Sequence, residues 1–355
     1  MRRLETLVTL LATTITLASP TLAQQAAPPT SSPAPAQAID LQTVMVSGEQ
    51  PGPGLWKVSK GDHVLWVLGT LDVLPKKMQW QAREVQQHIG EAQQVLAAPT
   101  VTMHADMGFF GELALLPSLV RVRNNPDGKK LSDVVPAADY ARWLVLKAKY
   151  IGHDNGVEKQ RPIFAAIALY FAAIKRAGLS GEVIDPLLKR AMKQHKLKPT
   201  AVNYTIEVAD PRALVTDFKR EQVDDLDCFD KTLRYLEGDV ALRRARANAW
   251  ALGDLDQLRK LPMSDQLSVC QAAIIESGIA RKLGVVDLRS RFEDTWVSAA
   301  DKALDANRVS FALLPMPALL PADNYLLRLQ AQGDTVELPD GLTPPDAAPP
   351  ASSTR

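Results

Sequence analysis

Gly54-Leu-Trp-Lys-Val58 and His63-Val-Leu-Trp-Val-Leu68, joined by Ser59-Lys-Gly-Asp62 and running on into Gly69-Thr-Leu-Asp72, decide the fold. Both runs are short and rich in β-branched and aromatic residues, and the break between them carries glycine and aspartate. That pattern predicts a β-hairpin. From Met78 to Ala92 the residues Trp80, Val85, His88 and Ile89 recur at helical spacing among Gln, Arg and Glu, so a helix is expected to follow, with a further strand at Gln94 to Leu96.

Further along, Leu131 to Gln194 reads as mostly helical. Trp143, Leu144, Leu146 and Ala148 mark one face, and Ile163 to Ile174 is apolar enough to be buried on most sides. Thr200-Ala-Val-Asn-Tyr-Thr-Ile-Glu207 has the β-branched density of a central strand, and helices rich in Ala and Leu are expected from Pro211 through Leu283. Arg308 to Leu314 is a second apolar strand. A helix near Asn324 to Gln332 is closed by Gly333, and Thr335-Val-Glu-Leu338 reads as a last strand. Strands separated by long helical stretches give an α/β class (mixed α+β), with a central mixed β-sheet flanked by many helices.

Outside this domain the composition changes. Arg2 and Arg3 precede an apolar run from Leu7 to Leu17 and a small-residue site at Thr21-Leu-Ala23, the pattern of a signal peptide over residues 1–23. The expected localisation is periplasmic. The run is too short to span a bilayer, which takes about 20 residues, so no membrane span is expected in the mature protein. Residues 24–53 form an Ala/Pro/Ser linker and 340–355 a Pro-rich tail, both too poor in apolar surface to offset the entropy of ordering. Residues 54–339 are left as a single domain.

The charges balance, with 41 basic and 40 acidic residues, so no global field favours nucleic acid. The basic runs Lys189-Arg190 and Arg243-Arg244-Ala-Arg246 are read as solvated helix faces. The two cysteines, Cys228 and Cys270, in an oxidising compartment read as a disulfide. The sequence carries no serine-nucleophile motif, no Gly-rich phosphate loop and no Cys-His pair.

Several segments, in order, resemble the TraB/GumN family, itself similar to the Tiki-type metalloproteases. The family's hairpin ends in Gly-x-x-His; here the segment is Gly69-Thr-Leu-Asp72, with aspartate in the histidine's place. The family's second strand ends in a glutamate, where this chain has Ala98. Glu182-Val-Ile-Asp185 loosely matches its Gly-Val-Asp, and Ile206-Glu207-Val208 falls at its Leu-Glu-Thr. The C-terminal Gly-Ala-Gly-His-Leu is matched by Pro315-Met-Pro-Ala318-Leu319, so alanine replaces the second histidine. Arg291-Phe292 stands where the family carries Arg-Asn.

The resemblance implies an EreA/ChaN-like architecture and descent from metal-dependent peptidases or hydrolases. A catalytic divalent ion is commonly held by about three protein ligands with one open position for water. Asp72 in place of an imidazole favours harder cations, and Ala318 removes a ligand outright. The expectation is therefore a catalytically degenerate relative with no cofactor, whose remnant site holds Asp72, Glu207 and Arg291. An ion pair between Arg291 and the remaining acids, with Glu207 on a buried strand, would stabilise it without metal. Asp72 is otherwise a loop cap. The alternative is an active hydrolase binding a divalent metal through Asp72, Glu207 and His104. A third reading is an accessory protein of envelope or exopolysaccharide assembly. Expected partners are a peptide, a glycan or an envelope protein. The six tryptophans are read mostly as core, with sugar stacking as the use of any exposed one.

Overall fold

The computed structural model describes residues 50–106, 122–220, 225–238, 240–261, 270, 283 and 287–339. All of these fall in one compact unit, Leu41–Arg355. The expected signal peptide, nearly all of the linker, the tail and part of the helical run before Leu283 lie outside the described residues.

The elements follow in chain order. Strands β1 (Leu55–Lys60), β2 (His63–Thr70) and β3 (Leu74–Pro75) precede α1 (Arg83–Glu91) and β4 (Gln94–His104). Next come α2 (Leu131–Val134), α3 (Ala137–Tyr150), α4 (Pro162–Arg176), β5 (Leu179–Ser180), α5 (Asp185–Gln194) and β6 (Pro199–Glu207). Then follow α6 (Pro211–Arg220), α7 (Asp225–Gly238), α8 (Val240–Leu252), α9 (Leu255–Lys260) and α10 (Leu288–Ala306). The chain closes with β7 (Val309–Pro315), α11 (Met316–Leu319), α12 (Tyr325–Ala331) and β8 (Thr335–Glu337).

The main sheet is mixed, in the order β6-β4-β7-β2-β1-β8. The hairpin forms as expected: β1 and β2 pair antiparallel from Leu55↔Leu68 to Lys60↔His63, and Gly61 takes the positive φ its turn requires. β2, β7, β4 and β6 run parallel, so their C-terminal ends share one rim. The two faces follow from alternation along β7. Ser310 Oγ donates to the Ala303 carbonyl of α10, whereas Trp66, in register with the next residue Phe311, stacks on His88 of α1 at 3.9 Å. Helices α10 and α1 therefore cover opposite faces, and the main core fills both interfaces with Leu65, Phe311, Ile89, Trp296 and Leu304.

A second core lies among α2, α3, α4 and α7, around Trp143, Leu169, Phe229 and Leu233. The Cys228–Cys270 disulfide sits inside it, with the two Cα atoms 4.8 Å apart, as the cysteine count implied. Its polar members are paired: Lys147 to Glu158 at 2.9 Å, with Trp143 Nε1 also donating to Glu158, and Arg161 to Asp225 at 2.7 Å.

The structure corrects several sequence expectations. Helix α1 begins at Arg83 rather than Met78, because Trp80 is spent in a β-bridge to Gln50 while its indole packs edge-on against Trp250 at 5.2 Å. β6 is an edge strand and not a central one. Its β-branched residues serve one face, where Tyr204 and Ile206 pack near Leu288, and the alternate positions face solvent. On α3, Leu144 points outward while Lys147 is buried, and on α4 Phe171 is exposed. The longest described helix, α10, was not anticipated, although Trp296, Val297, Ala300, Ala303 and Leu304 hold helical spacing and Asp287 caps the Ser290 amide.

Candidate functional site

The rim formed by the strand ends is the place where the hairpin motif and the C-terminal motif meet. Thr70 at the end of β2 is in register with Pro315 at the end of β7. Gly69 is required there: a Cβ would lie 2.5 Å from Met316 Cε and 3.0 Å from Trp56, so only glycine lets these chains approach. The Gly69 carbonyl accepts a buried hydrogen bond of 2.9 Å from Trp250 Nε1, which ties the strand end to α8.

Beyond Pro315 the chain turns at once into α11, which carries Ala318. Between α11, α12 and the start of α10 lies a cleft of about 720 Å³. Its walls are mostly apolar, with Pro99, Pro315, Pro317, Pro321, Phe292 and Tyr325, and Arg259 and Arg289 supply the cations. Arg289 faces Asp323 across the mouth at 3.5 Å, and burial pushes the Tyr325 hydroxyl above its ordinary value.

Asp72 does not line this cleft. Its carboxylate accepts a 3.0 Å hydrogen bond from the Tyr170 hydroxyl of α4. Gly181 keeps room for the Asp72 carbonyl, from which a Cβ would be 3.0 Å away. Beside Tyr170 the Arg243 guanidinium, from α8, is only 4% exposed and stacks on the rings of Tyr170 and Tyr235 at 4.7 and 3.9 Å. Its two terminal nitrogens are buried without a well-aligned hydrogen bond, so its charge is balanced through space by Tyr170 and Asp72. Burial holds the Arg243 value below normal. Burial first, and then the Asp72 charge, raises that of Tyr170. The reading of Arg243 to Arg246 as a solvated face is thus corrected: Arg243 and Arg246 are buried and only Arg244 faces water.

Glu207 and His104 stand elsewhere. Pro99 of β4 is in register with Val202 of β6, and the pair of strands continues past the rim to His104↔Glu207. Five residues at about 3.3 Å each place Glu207 roughly 16 Å beyond that level. Both side chains are exposed, so the expectation of a buried Glu207 is corrected. Arg291 is exposed on the first turns of α10, and no ion pair joins it to Glu207 among the described residues. The structure therefore brings His104 to Glu207, brings Ala318 to the cleft beside Phe292, and sends Asp72 to Tyr170.

A divalent ion of the kind the resemblance implies does not fit this donor set. The rim positions contribute Pro99, Pro315 and Ala318, none with a side-chain donor, and Asp72 is already turned to a hydroxyl and an arginine. Among the described residues no three His, Cys, Asp or Glu side chains lie close enough to share an ion. Tyr170, Arg243, Arg259 and Tyr325 were missed in the sequence. Only Arg243 left a signal there, being one turn from Arg246 on an otherwise Ala-rich helix.

No curated protein and no solved structure matches the chain. The family model described as the TraB/PrgY/gumN family matches residues 54–338, which spans the hairpin, the rim and the last strand. The chain belongs to the TraB/PrgY/gumN family.

Proposed function

We propose that this protein is an exported, non-catalytic member of its family that binds a peptide segment in the rim cleft. One observation carries the reading: of the two positions that match the family's histidines, one is Ala318 in the cleft wall and the other is Asp72, engaged by Tyr170 beside the buried Arg243. Hydrolysis by a metal-bound water needs about three ligands converging on one point. The side chains at this rim offer no such set. No step of bond cleavage is assigned to them.

What the cleft offers is binding. Proline and aromatic walls take apolar side chains, and two arginines take carboxylates. A peptide is favoured over a glycan because the indoles offer no open stacking face: Trp56, Trp80, Trp143, Trp250 and Trp296 are buried, and Trp66 lies against His88. The expected setting is the periplasm, from the signal-peptide pattern at residues 1–23.

The test is a random-peptide display selection against the mature protein, followed by fluorescence polarisation with the enriched sequence. Ala318→Trp fills the cleft and is expected to weaken binding by about tenfold or more, as closing a central pocket does. Affinity unchanged by that substitution, or cleavage of the peptide, overturns the proposal.

A further inference from the structure

Away from the rim, the last turns of α3 and α4 meet in a groove of about 600 Å³. Its floor is apolar and built from Ile151, Val157, Ala168 and Ala172, with Tyr150 at one side and Lys175 and Arg176 along the lip. The residues that stand out beside it repeat one pattern on both helices. On α3, Val145 is 69% exposed and Lys149 follows one turn later; on α4, Phe171 is 54% exposed and Lys175 follows one turn later. Residues four apart share a helix face, so each helix presents an apolar side chain with a cation beside it.

The cations are available. Lys149 lies 4.9 Å from the Tyr150 ring, and among the described residues neither Lys175 nor Arg176 is paired with a carboxylate. The single acid lining the groove, Asp154, is occupied, since its Oδ1 accepts from the Gly156 amide at 2.7 Å. The helix dipole accounts for cations in a last turn. It does not account for a phenylalanine and a valine held out in water beside them.

We infer that the face formed by the ends of α3 and α4 docks on an anionic lipid surface, with Phe171 and Val145 entering the headgroup boundary and Lys149, Lys175 and Arg176 against the lipid phosphates. Apolar anchors and a cationic rim are the two signals that together make such binding stable. Lipid is favoured over an acidic protein because the apolar groups protrude from the face, and a protein partner would meet them in a pocket. No helix among the described residues is long and apolar enough to cross a membrane, so the contact is peripheral.

The experiment is co-sedimentation of the mature protein with large vesicles of phosphatidylcholine alone and of phosphatidylcholine mixed with phosphatidylglycerol. Binding to the anionic vesicles only, weakened by salt, is expected. The double variant K175E/R176E should lower that partitioning by at least about 25-fold, from about fivefold per cation. F171S should lower it as well, whereas the charge-conserving K175R/R176K should retain it, and circular dichroism shows that each variant is folded. No binding to either vesicle, equal binding to both, or binding unmoved by K175E/R176E overturns the inference.

Discussion

Replacing Asp72 by alanine separates a structural carboxylate from a metal ligand. In the structure Asp72 takes the Tyr170 hydroxyl at 3.0 Å and supplies the acid that faces Arg243, which is buried against two tyrosine rings. A hydrogen bond to a charged group contributes about 1.5–3 kcal/mol. The exposure of Asp72 itself argues for the lower half of that range, and Arg243 adds to it, because a buried cation without its counter-charge is costly. The expected loss for Asp72→Ala is about 2–3 kcal/mol, or roughly 5 °C in Tm for a domain of this size. Tyr170→Phe removes the same bond from the other side. The double variant should therefore fall short of the summed losses by about 1 kcal/mol, a coupling that urea unfolding resolves. The loss should also be the same with and without a chelator. Additive effects within about 0.5 kcal/mol, or a Tm shift seen only when metal is present, would refute the reasoning.

Three further outcomes are expected. Cys270→Ser opens the loop between residues 42 apart and should lower stability by about 4 kcal/mol in the chain-entropy model, read by urea unfolding under non-reducing conditions. Trp250→Phe leaves the buried Gly69 carbonyl without its indole donor and should cost about 1–3 kcal/mol, with indole fluorescence and unfolding as the readouts. Arg142 donates to Glu237 and holds that carboxyl below its ordinary value; Asp230, which burial pushes up, still ends lower because Arg142 and Arg234 donate to it. A depressed folded value means that the stabilisation is present above the unfolded carboxylate range and is lost as the pH falls through the folded value. The destabilisation caused by Arg142→Gln at neutral pH should therefore shrink below about pH 3, as measured by thermal melts across pH.

The hairpin was legible because Leu55 to Leu68 states its own partner through alternation and a two-residue turn. The Pro162–Arg176 helix was legible from its apolar run behind an N-terminal proline. β6 was misread because a β-branched run looks alike whether one face or both are covered, and only the sheet order shows that Thr205 and Glu207 meet water. Trp80 fitted a helical period by chance while its position was set by Gln50 and Trp250. In the site, the replacement of both histidines could be read directly. The fate of Asp72 could not, since its partner lies 98 residues away on a helix whose other side chains are apolar. Glu207 matched a motif in sequence, yet the register of β4 on β6 carries it past the rim.

The central claim is that the rim no longer carries the donors for an ion. Calorimetric titration of chelator-treated mature protein with zinc and with manganese, checked by elemental analysis of the protein as purified, tests it most directly. No stoichiometric binding to either metal, with Asp72→Ala behaving like the parent protein, is the predicted result. One tightly held equivalent, lost on replacing Asp72, would contradict it.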